Sequence, residues 1–214
     1  MKKFFATLFL LLISMPLQAA PYQGFHEGPY ILLEFGALQA DFDYNLAAAE
    51  KVGRDLEPNI GLLFGWDLTD NWGALFQSQY STNKNRGRRE HITNNLLAVR
   101  YSFIVDALTP STNFSAIPYV LSGFGFRISA LPGDQNSSDS VIPSFGFGPS
   151  VGGGLAFMVK KYLYLGFQVQ GDLLFYDELR QNFDRANPLL ANQKVYNGGF
   201  QPSFATHFMI GVHY

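Results

Sequence analysis

Ser203 and the histidines are the residues of this chain best suited to covalent or metal chemistry. Ser203 and His207 fall on one side of an alternating segment, as a nucleophile and its base would. Four residues of extended strand separate two side chains by roughly 13 Å, too far for the hydrogen bond that such a pair needs. His213 shares that side, but nothing supplies a third metal ligand at a recognisable spacing, and the chain has no cysteine. We therefore expect no enzymatic activity, no metal and no cofactor.

A second set of polar residues recurs at alternate positions inside otherwise apolar segments. Its charged members are Glu34, Arg100, Arg127 and Asp172, and its uncharged members are Gln77, Gln79, Gln168, Gln170 and His207. Buried charges are costly unless they are paired and hydrogen-bonded, so we predict an internal polar network. Its partners stay unassigned, because the stagger between the segments is unknown. Two interpretations remain open: a static polar plug, or a gate that rearranges to pass small solutes.

The segments that carry these residues alternate with a period of two, which predicts strands. The eight predicted strands are residues 29–40, 58–67, 72–82, 92–104, 117–128, 145–159, 162–175 and 204–214. We predict an all-β fold in which residues 21–214 form an eight-stranded antiparallel up-and-down transmembrane β-barrel. The last strand closes the ring by pairing with the first.

The apolar faces of these strands indicate a bilayer and not water. The sixth and eighth strands carry almost no charge on either side, whereas soluble surfaces carry many Lys, Glu and Asp residues. Two long uncharged strands would be prone to aggregation in water. An eight-stranded barrel has an interior just wide enough for its own side chains. We expect the glycines of residues 146–154 to make room there for Tyr119 and Arg127.

Residues 1–20 have the order of an export signal: Lys2 and Lys3, an apolar run, then Leu17-Gln-Ala-Ala20. We predict cleavage after Ala19 or Ala20. Removing this segment leaves 13 basic and 17 acidic residues, a net charge of −4. This mild acidity argues against nucleic acid as a partner.

Several short motifs support a family resemblance. They are Pro118-Tyr119 followed by Gly123-x-Gly125, the Gly152-Gly-Gly154 run, the Leu68-Thr-Asp-Asn-Trp72 turn and the terminal Phe208 to Tyr214. With these motifs the chain resembles the small eight-stranded outer-membrane barrels of Gram-negative bacteria, such as the OmpA transmembrane domain and the OmpW-like barrels. The resemblance implies location in the cell outer membrane. It also implies that Phe208, Ile210, Val212 and Tyr214 are read by the outer-membrane assembly machinery. We also expect a monomer. Since the chain ends at the eighth strand, unlike full-length OmpA, we expect no periplasmic peptidoglycan-binding domain.

Connection lengths predict the orientation of the barrel. Short turns of such barrels face the periplasm and long loops face outward, which places both termini in the periplasm. The connection of residues 105–116 departs from this rule, because it is long for a periplasmic turn. Loops on a rigid scaffold carry binding functions. We would look for a partner at the third outer loop, residues 132–140, and at the fourth, residues 177–199.

The second outer loop contains the one concentrated basic run, whose basic members are Lys84, Arg86, Arg88 and Arg89. Guanidinium groups form charge-assisted hydrogen bonds with phosphates, so contact with lipopolysaccharide of the outer leaflet is one interpretation. An ordinary solvated loop tip is the other. Outer-membrane lipid is the expected surrounding in either case.

Three functions are compatible with these sequence features. The first is a structural or surface-interaction protein that acts through its outer loops. The second is a narrow pore for small or hydrophobic solutes. The third is a lipid A-modifying enzyme. The deacylases of this class would need a His-x-Ser motif on a strand, and the nearest match here is His91-Ile-Thr93.

Overall fold

Ten strands make up the regular structure in a computed structural model of the chain, which describes residues 27–40, 56–85, 88–104, 114–132, 141–159, 162–177, 179–180, 194–196 and 198–214. They are β1 (Gly28–Ala40), β2 (Glu57–Asp67), β3 (Trp72–Asn85), β4 (Arg88–Ser102), β5 (Phe114–Pro132), β6 (Val141–Val159), β7 (Leu163–Tyr176), β8 (Leu179–Arg180), β9 (Lys194–Tyr196) and β10 (Gly199–His213). Among the described residues, no helix is long and apolar enough to cross a membrane. The predicted signal peptide, residues 1–20, lies outside these ranges.

Eight of the strands close into one ring in the order β1-β10-β7-β6-β5-β4-β3-β2. All neighbours are antiparallel, and β10 pairs with β1 as well as with β7. The strands β8 and β9 form a small separate sheet within the connection from β7 to β10. The predicted eight-stranded up-and-down barrel is therefore confirmed, with β10 as the predicted closing strand.

The strand register fixes the stagger that the sequence left open. Following paired residues once around the ring from Leu38 leads through Ala205, Gln170, Gly152, Leu121, Arg100, Gly73 and Asp67 to Gly28. Gly28 lies ten residues before Leu38 on the same strand, so the shear number is ten. In a barrel of this size the strands tilt by roughly 35–45° from the axis, and side chains fill the interior.

The barrel is inside out relative to a soluble protein. Large apolar side chains point outward and are exposed, whereas the residues between them point inward and are buried: Phe208 is 53% exposed and its neighbour His207 is 1% exposed. The same contrast holds for Phe35 beside Glu34 and for Phe167 beside Gln168. The predicted faces of the strands are confirmed. The interior holds a cluster of buried apolar side chains, Leu32, Leu63 and Leu96 among them, as well as the buried polar ones. An apolar exterior around an interior that carries the polar side chains is the arrangement of a transmembrane barrel.

The two ends of the barrel differ. The terminal end carries Gly28, His213 and the short connections from β2 to β3 and from β6 to β7, and we call the opposite end the loop end. Near the terminal end Trp72 packs edge-on against Tyr101, with ring centroids 4.9 Å apart. Toward the loop end of β5, β6, β7 and β10 the outward rings are phenylalanines. Phe147 contacts Phe124, Phe145 and Phe175, and Phe175 contacts Phe200.

Several strands extend further at the loop end than the sequence predicts. β3 continues to Asn85, β4 begins at Arg88, β5 reaches Pro132, β6 begins at Val141 and β10 begins at Gly199. The added residues of β3 and β4 are polar, which hides the alternation, and those of β5 and β6 include Pro132 and Pro143, which a strand pattern disfavours. At the other end β5 starts at Phe114, which shortens the long connection predicted before it. The strands β8 and β9 were not predicted, because two or three residues are too few for a periodic pattern.

Candidate functional site

Among the described residues, many polar side chains come together in the interior of the barrel. Strand alternation points them inward, and the shear of ten brings residues from distant strands to the same height. They form three connected groups, which lie at the terminal end, in the middle and toward the loop end of the interior.

The terminal group is built around Arg100. Its Nη2 donates to Oδ1 and Oδ2 of Asp67, at 2.6 and 2.5 Å, and Nη1 donates to the Tyr164 hydroxyl at 3.1 Å. Asp67 was not among the interior residues predicted from the sequence. Gly61 and Gly65 of β2 face inward, and Asp67 follows Gly65 by two residues. The alternation of the strand therefore places the Asp67 carboxylate inward as well.

Aromatic rings complete the terminal group. The Arg100 guanidinium lies over the rings of Tyr30 and Tyr119, 4.7 and 5.4 Å from their centroids. Tyr30 stacks on Tyr164 and on His213, with centroids 5.8 and 6.0 Å apart. His213 Nε2 lies 3.5 Å from Asp67 Oδ2. Since Tyr30 belongs to β1 and His213 to β10, this group joins the two strands that close the ring.

The middle group surrounds Glu34, the central residue of β1. Gln77 Nε2 donates to both carboxylate oxygens at 2.9 and 3.0 Å, and Gln79 Nε2 lies 3.4 Å from Oε2. Gln168 Nε2 donates to Gln77 Oε1 at 3.2 Å. β3 and β7 lie on opposite sides of the ring, so this last hydrogen bond spans the interior. The Tyr119 hydroxyl donates to Gln168 Oε1 at 3.0 Å and links the middle group to the terminal one.

The group toward the loop end converges on Asp172. Its carboxylate accepts hydrogen bonds from Ser150 at 2.5 Å, from Gln170 at 2.7 Å and from Ser203 at 3.1 Å. Arg127 Nη2 lies 3.6 Å from Asp172 Oδ2 and donates to Ser203 Oγ at 2.7 Å. Asn94 lies between the pair, accepting from Arg127 Nε at 3.3 Å and donating to Asp172 at 3.4 Å.

The structure brings together one pair of the four charged residues singled out by sequence. Arg127 and Asp172 meet toward the loop end, whereas Arg100 pairs with Asp67 and Glu34 is held by two glutamines. Glu34 lies at the middle of β1, whereas Arg100 lies near the terminal end of β4. The nucleophile and base candidates have different partners: Ser203 bonds to the Arg127–Asp172 pair, and His207 bonds to Gln79 at 3.0 Å.

Glycines of β6 make room for aromatic rings, and one of the two expected assignments is wrong. A Cβ on Gly154 would lie 2.6 Å from the Tyr119 hydroxyl oxygen, so Gly154 accommodates that ring as expected. A Cβ on Gly146 would overlap the ring of Tyr176 of β7. Gly146 is the register partner of Arg127, but the space beside it is occupied by Tyr176.

The remaining candidate residues lie at the ends of the barrel. In the basic run, the register pairs Lys84 with Arg89 and Asn85 with Arg88, while Arg86 lies outside the described residues. Residues 133–140 of the third outer loop, predicted as residues 132–140, and most of the fourth loop lie outside them as well.

The C-terminal residues lie where β10 pairs with β1, which we call the seam of the ring. Phe208 and Ile210 point outward and are exposed, and Val212 and Tyr214 are half-buried. The Tyr214 N–H donates to the carbonyl of Pro29 at 2.9 Å. Within the part of the chain that the structure describes, no group of three or more His, Asp or Glu residues could hold a metal ion.

Comparison with known proteins finds similarity in structure only. No model of a known family matches the sequence, and no curated protein matches it. Neisserial surface protein A is 12% identical with a TM-score of 0.56, over 87% of this chain and 97% of that chain. The outer membrane protein OprG from Pseudomonas aeruginosa is 17% identical with a TM-score of 0.55, over 90% and 98%. Ail, the attachment invasion locus protein of Yersinia pestis, in complex with the heparin analogue sucrose octasulfate, is 8% identical with a TM-score of 0.50, over 88% and 99%. At these identities the likeness shows the shared barrel fold.

Proposed function

We propose that the protein is an integral outer-membrane barrel with a structural or surface-interaction role, exerted from its loop end. The observation that supports this role best is the hydrogen bond from Gln168 to Gln77, which crosses the interior between opposite strands. Side chains that meet across the interior favour a rigid scaffold over an open channel. The terminal end faces the periplasm in this proposal, because it carries the short connections.

Labelling of intact cells tests this orientation. The chain has no cysteine, so a single introduced cysteine reports one position. We expect a membrane-impermeant maleimide to label Asn136→Cys, in the third outer loop, on intact cells. Asp70→Cys, in the short turn at the terminal end, should react only after the outer membrane is permeabilised. The reverse pattern would contradict the orientation, and labelling of neither in membranes would contradict the outer-membrane location.

A narrow pore is the second candidate, because polar side chains extend through the interior from Asp67 to Arg127. Rearrangement of this chain of hydrogen bonds would open a path for small solutes. In planar bilayers we expect refolded protein to show no steady conductance. Steady openings that an Arg100→Ala, Arg127→Ala double variant abolishes would favour the pore instead.

Catalysis on lipid A is the third candidate, and we propose that the protein has no such activity. Ser203 and His207 are each hydrogen-bonded into the interior network and not to one another. The mass profile of lipid A should therefore be the same in cells with and without the gene. An altered acyl-chain pattern that depends on the gene would contradict this.

We also propose that Phe208, Ile210, Val212 and Tyr214 form the signal for the outer-membrane assembly machinery. They lie on the outward face of the closing strand, where another protein can reach them before the ring closes. Replacing Phe208 by Ala should lower the amount of protein in the outer membrane without impairing refolding in detergent. Phe167→Ala, at the register partner on β7, is the matched control.

A further inference from the structure

One strand pair has an outward face unlike the rest of the barrel. We call the outward-facing register pairs of β3 and β4 the outward ladder. From the terminal end they are Trp72–Tyr101, Ala74–Val99, Phe76–Leu97, Ser78–Asn95, Tyr80–Thr93 and Thr82–His91. The first three pairs are apolar or aromatic, and the next three are polar. Two residues further along each strand, the register pairs Lys84 with Arg89.

The polar pairs lie unusually deep in the apolar band. One register row runs Ser78, Asn95, Phe126, Phe147, Phe175, Phe200, from β3 to β10. Paired residues followed around the ring from β10 to β3 lie progressively nearer the terminal end, as the path from Leu38 to Gly28 shows. Ser78 is therefore the member of the row that lies nearest the terminal end. Its phenylalanines lie nearer the loop end than its polar members. The apolar band therefore has a notch on β3 and β4.

The notch presents hydrogen-bonding groups where other strands present phenylalanine. Tyr80 is 43% exposed, and its hydroxyl lies 2.6 Å from Nδ1 of the exposed His91. When the hydroxyl donates to Nδ1, Nε2 carries a proton that it can donate outward. Asn95 belongs to the register row of Ser78 but is only 7% exposed, and its amide donates to the Phe126 carbonyl at 3.5 Å. A hydrogen-bond donor such as His91 Nε2 is costly to leave facing hydrocarbon, so a polar part of a neighbouring lipid suits this surface.

Charge indicates which lipid. Residues 84–91 contain four basic residues and one acidic residue, above a notch of hydroxyl and imidazole groups. Below the notch lie the apolar Phe76 and Leu97, which can contact acyl chains. Phosphate suits arginine and lysine, and the order basic, polar, apolar matches phosphate, sugar and acyl chain.

We propose that the outward ladder is a binding site for one molecule of lipid A, the phosphorylated and acylated disaccharide of the outer leaflet. Lys84 and Arg89 take a phosphate, Tyr80 and His91 contact the sugar, and the acyl chains lie along Phe76 and Leu97. This inference rests on the proposed outer-membrane location, and it adds a defined lipid site to that role.

Native mass spectrometry of the full mature chain, refolded in detergent, tests the site with diphosphoryl hexa-acyl lipid A as the probe. We expect one retained lipid, and about tenfold weaker binding in a Lys84→Ala, Arg89→Ala variant, as loss of a charge-assisted hydrogen bond implies. Tyr80→Phe, His91→Ala should also weaken binding severalfold. Lys160→Ala, Lys161→Ala removes an equal charge at the other end and is the matched control. Heat-modifiable gel mobility shows that each variant is folded.

Three results would overturn the proposal: no lipid A retained by the wild type, equal binding by the wild type and both ladder variants, or equal retention of phosphatidylglycerol. If Asn136→Cys is labelled from outside, any of these three results would refute the lipid site but not the proposed outer-membrane location. Failure of the labelling itself would refute the outer-membrane orientation.

Discussion

At the scale of single residues, Asp172 is the position on which the interior depends most. Its carboxylate receives hydrogen bonds from Ser150, Gln170 and Ser203 and faces the guanidinium of Arg127, which is only 1% exposed. A buried charge that loses its partner keeps its desolvation penalty. The pair is therefore less important for the attraction it supplies than for the cost of breaking it.

Replacing Asp172 by Ala should destabilise the barrel by about 3–5 kcal/mol, because Arg127 is left buried without its counter-charge. Urea unfolding in lipid, followed by the fluorescence of the two tryptophans, measures this change. A double variant, Asp172→Ala with Arg127→Ala, should be less destabilised than the sum of the two single variants. An unfolding midpoint unchanged in Asp172→Ala would show that the pair carries no such role.

At the scale of elements, close packing of glycine against aromatic rings holds the seam of the ring. Gly65 of β2 faces Tyr30 of β1, and a Cβ at this position would overlap the Tyr30 ring. That ring is fixed between Tyr164 and His213 and under Arg100, so it has little freedom to move away. The space beside Gly65 therefore affects the position of the Tyr30 ring, and with it the pairing between the first and last strands.

We expect Gly65→Ala to lower the stability of the barrel by about 1–3 kcal/mol, as overpacking does elsewhere. Gly171→Ala is the control, since the nearest atom to its Cβ would be the Ser203 carbonyl oxygen at 4.0 Å. The temperature at which heat-modifiable mobility is lost compares the two. Equal temperatures would mean that Tyr30 is not confined as the structure shows it.

The sequence predicted the elements better than their contacts, for a physical reason. Alternation of period two determines which residues form strands and which face each residue takes, as at Phe208 and His207. It does not determine the stagger between strands, so the pairing of Arg100 with Asp67 could not be derived. The inward orientation of Asp67 could have been predicted, because Asp67 lies two residues after the inward-facing Gly65 on β2. The extensions of β3 and β4 were missed because their polar residues carry no apolar period, and those of β5 and β6 because Pro132 and Pro143 disfavour a strand.

At the scale of the whole molecule, closure and an apolar exterior together suit the barrel to a membrane. The ring has no unpaired strand edge, because β10 pairs with both β7 and β1. A closed ring satisfies the backbone hydrogen bonds of its strands, which is a condition for strands to cross hydrocarbon. Its interior is filled from the Asp67–Arg100 pair to the Arg127–Asp172 pair, so function is expected at the surface and at the loop end.

The apolar face of each strand is expected to contact lipid, and a nitroxide scan of β7 tests this central claim most directly. Single cysteines at residues 163–176 would be spin-labelled in bilayers, and collisions with oxygen and with a water-soluble nickel chelate would be compared. Burial along this strand alternates, with residues 164, 168, 170, 172, 174 and 176 among the buried inward positions. We predict oxygen accessibility that peaks at the odd positions, with a period of two. Peaks at the even positions, or accessibility to the nickel chelate at Phe167 and Leu173, would contradict lipid contact by the apolar face.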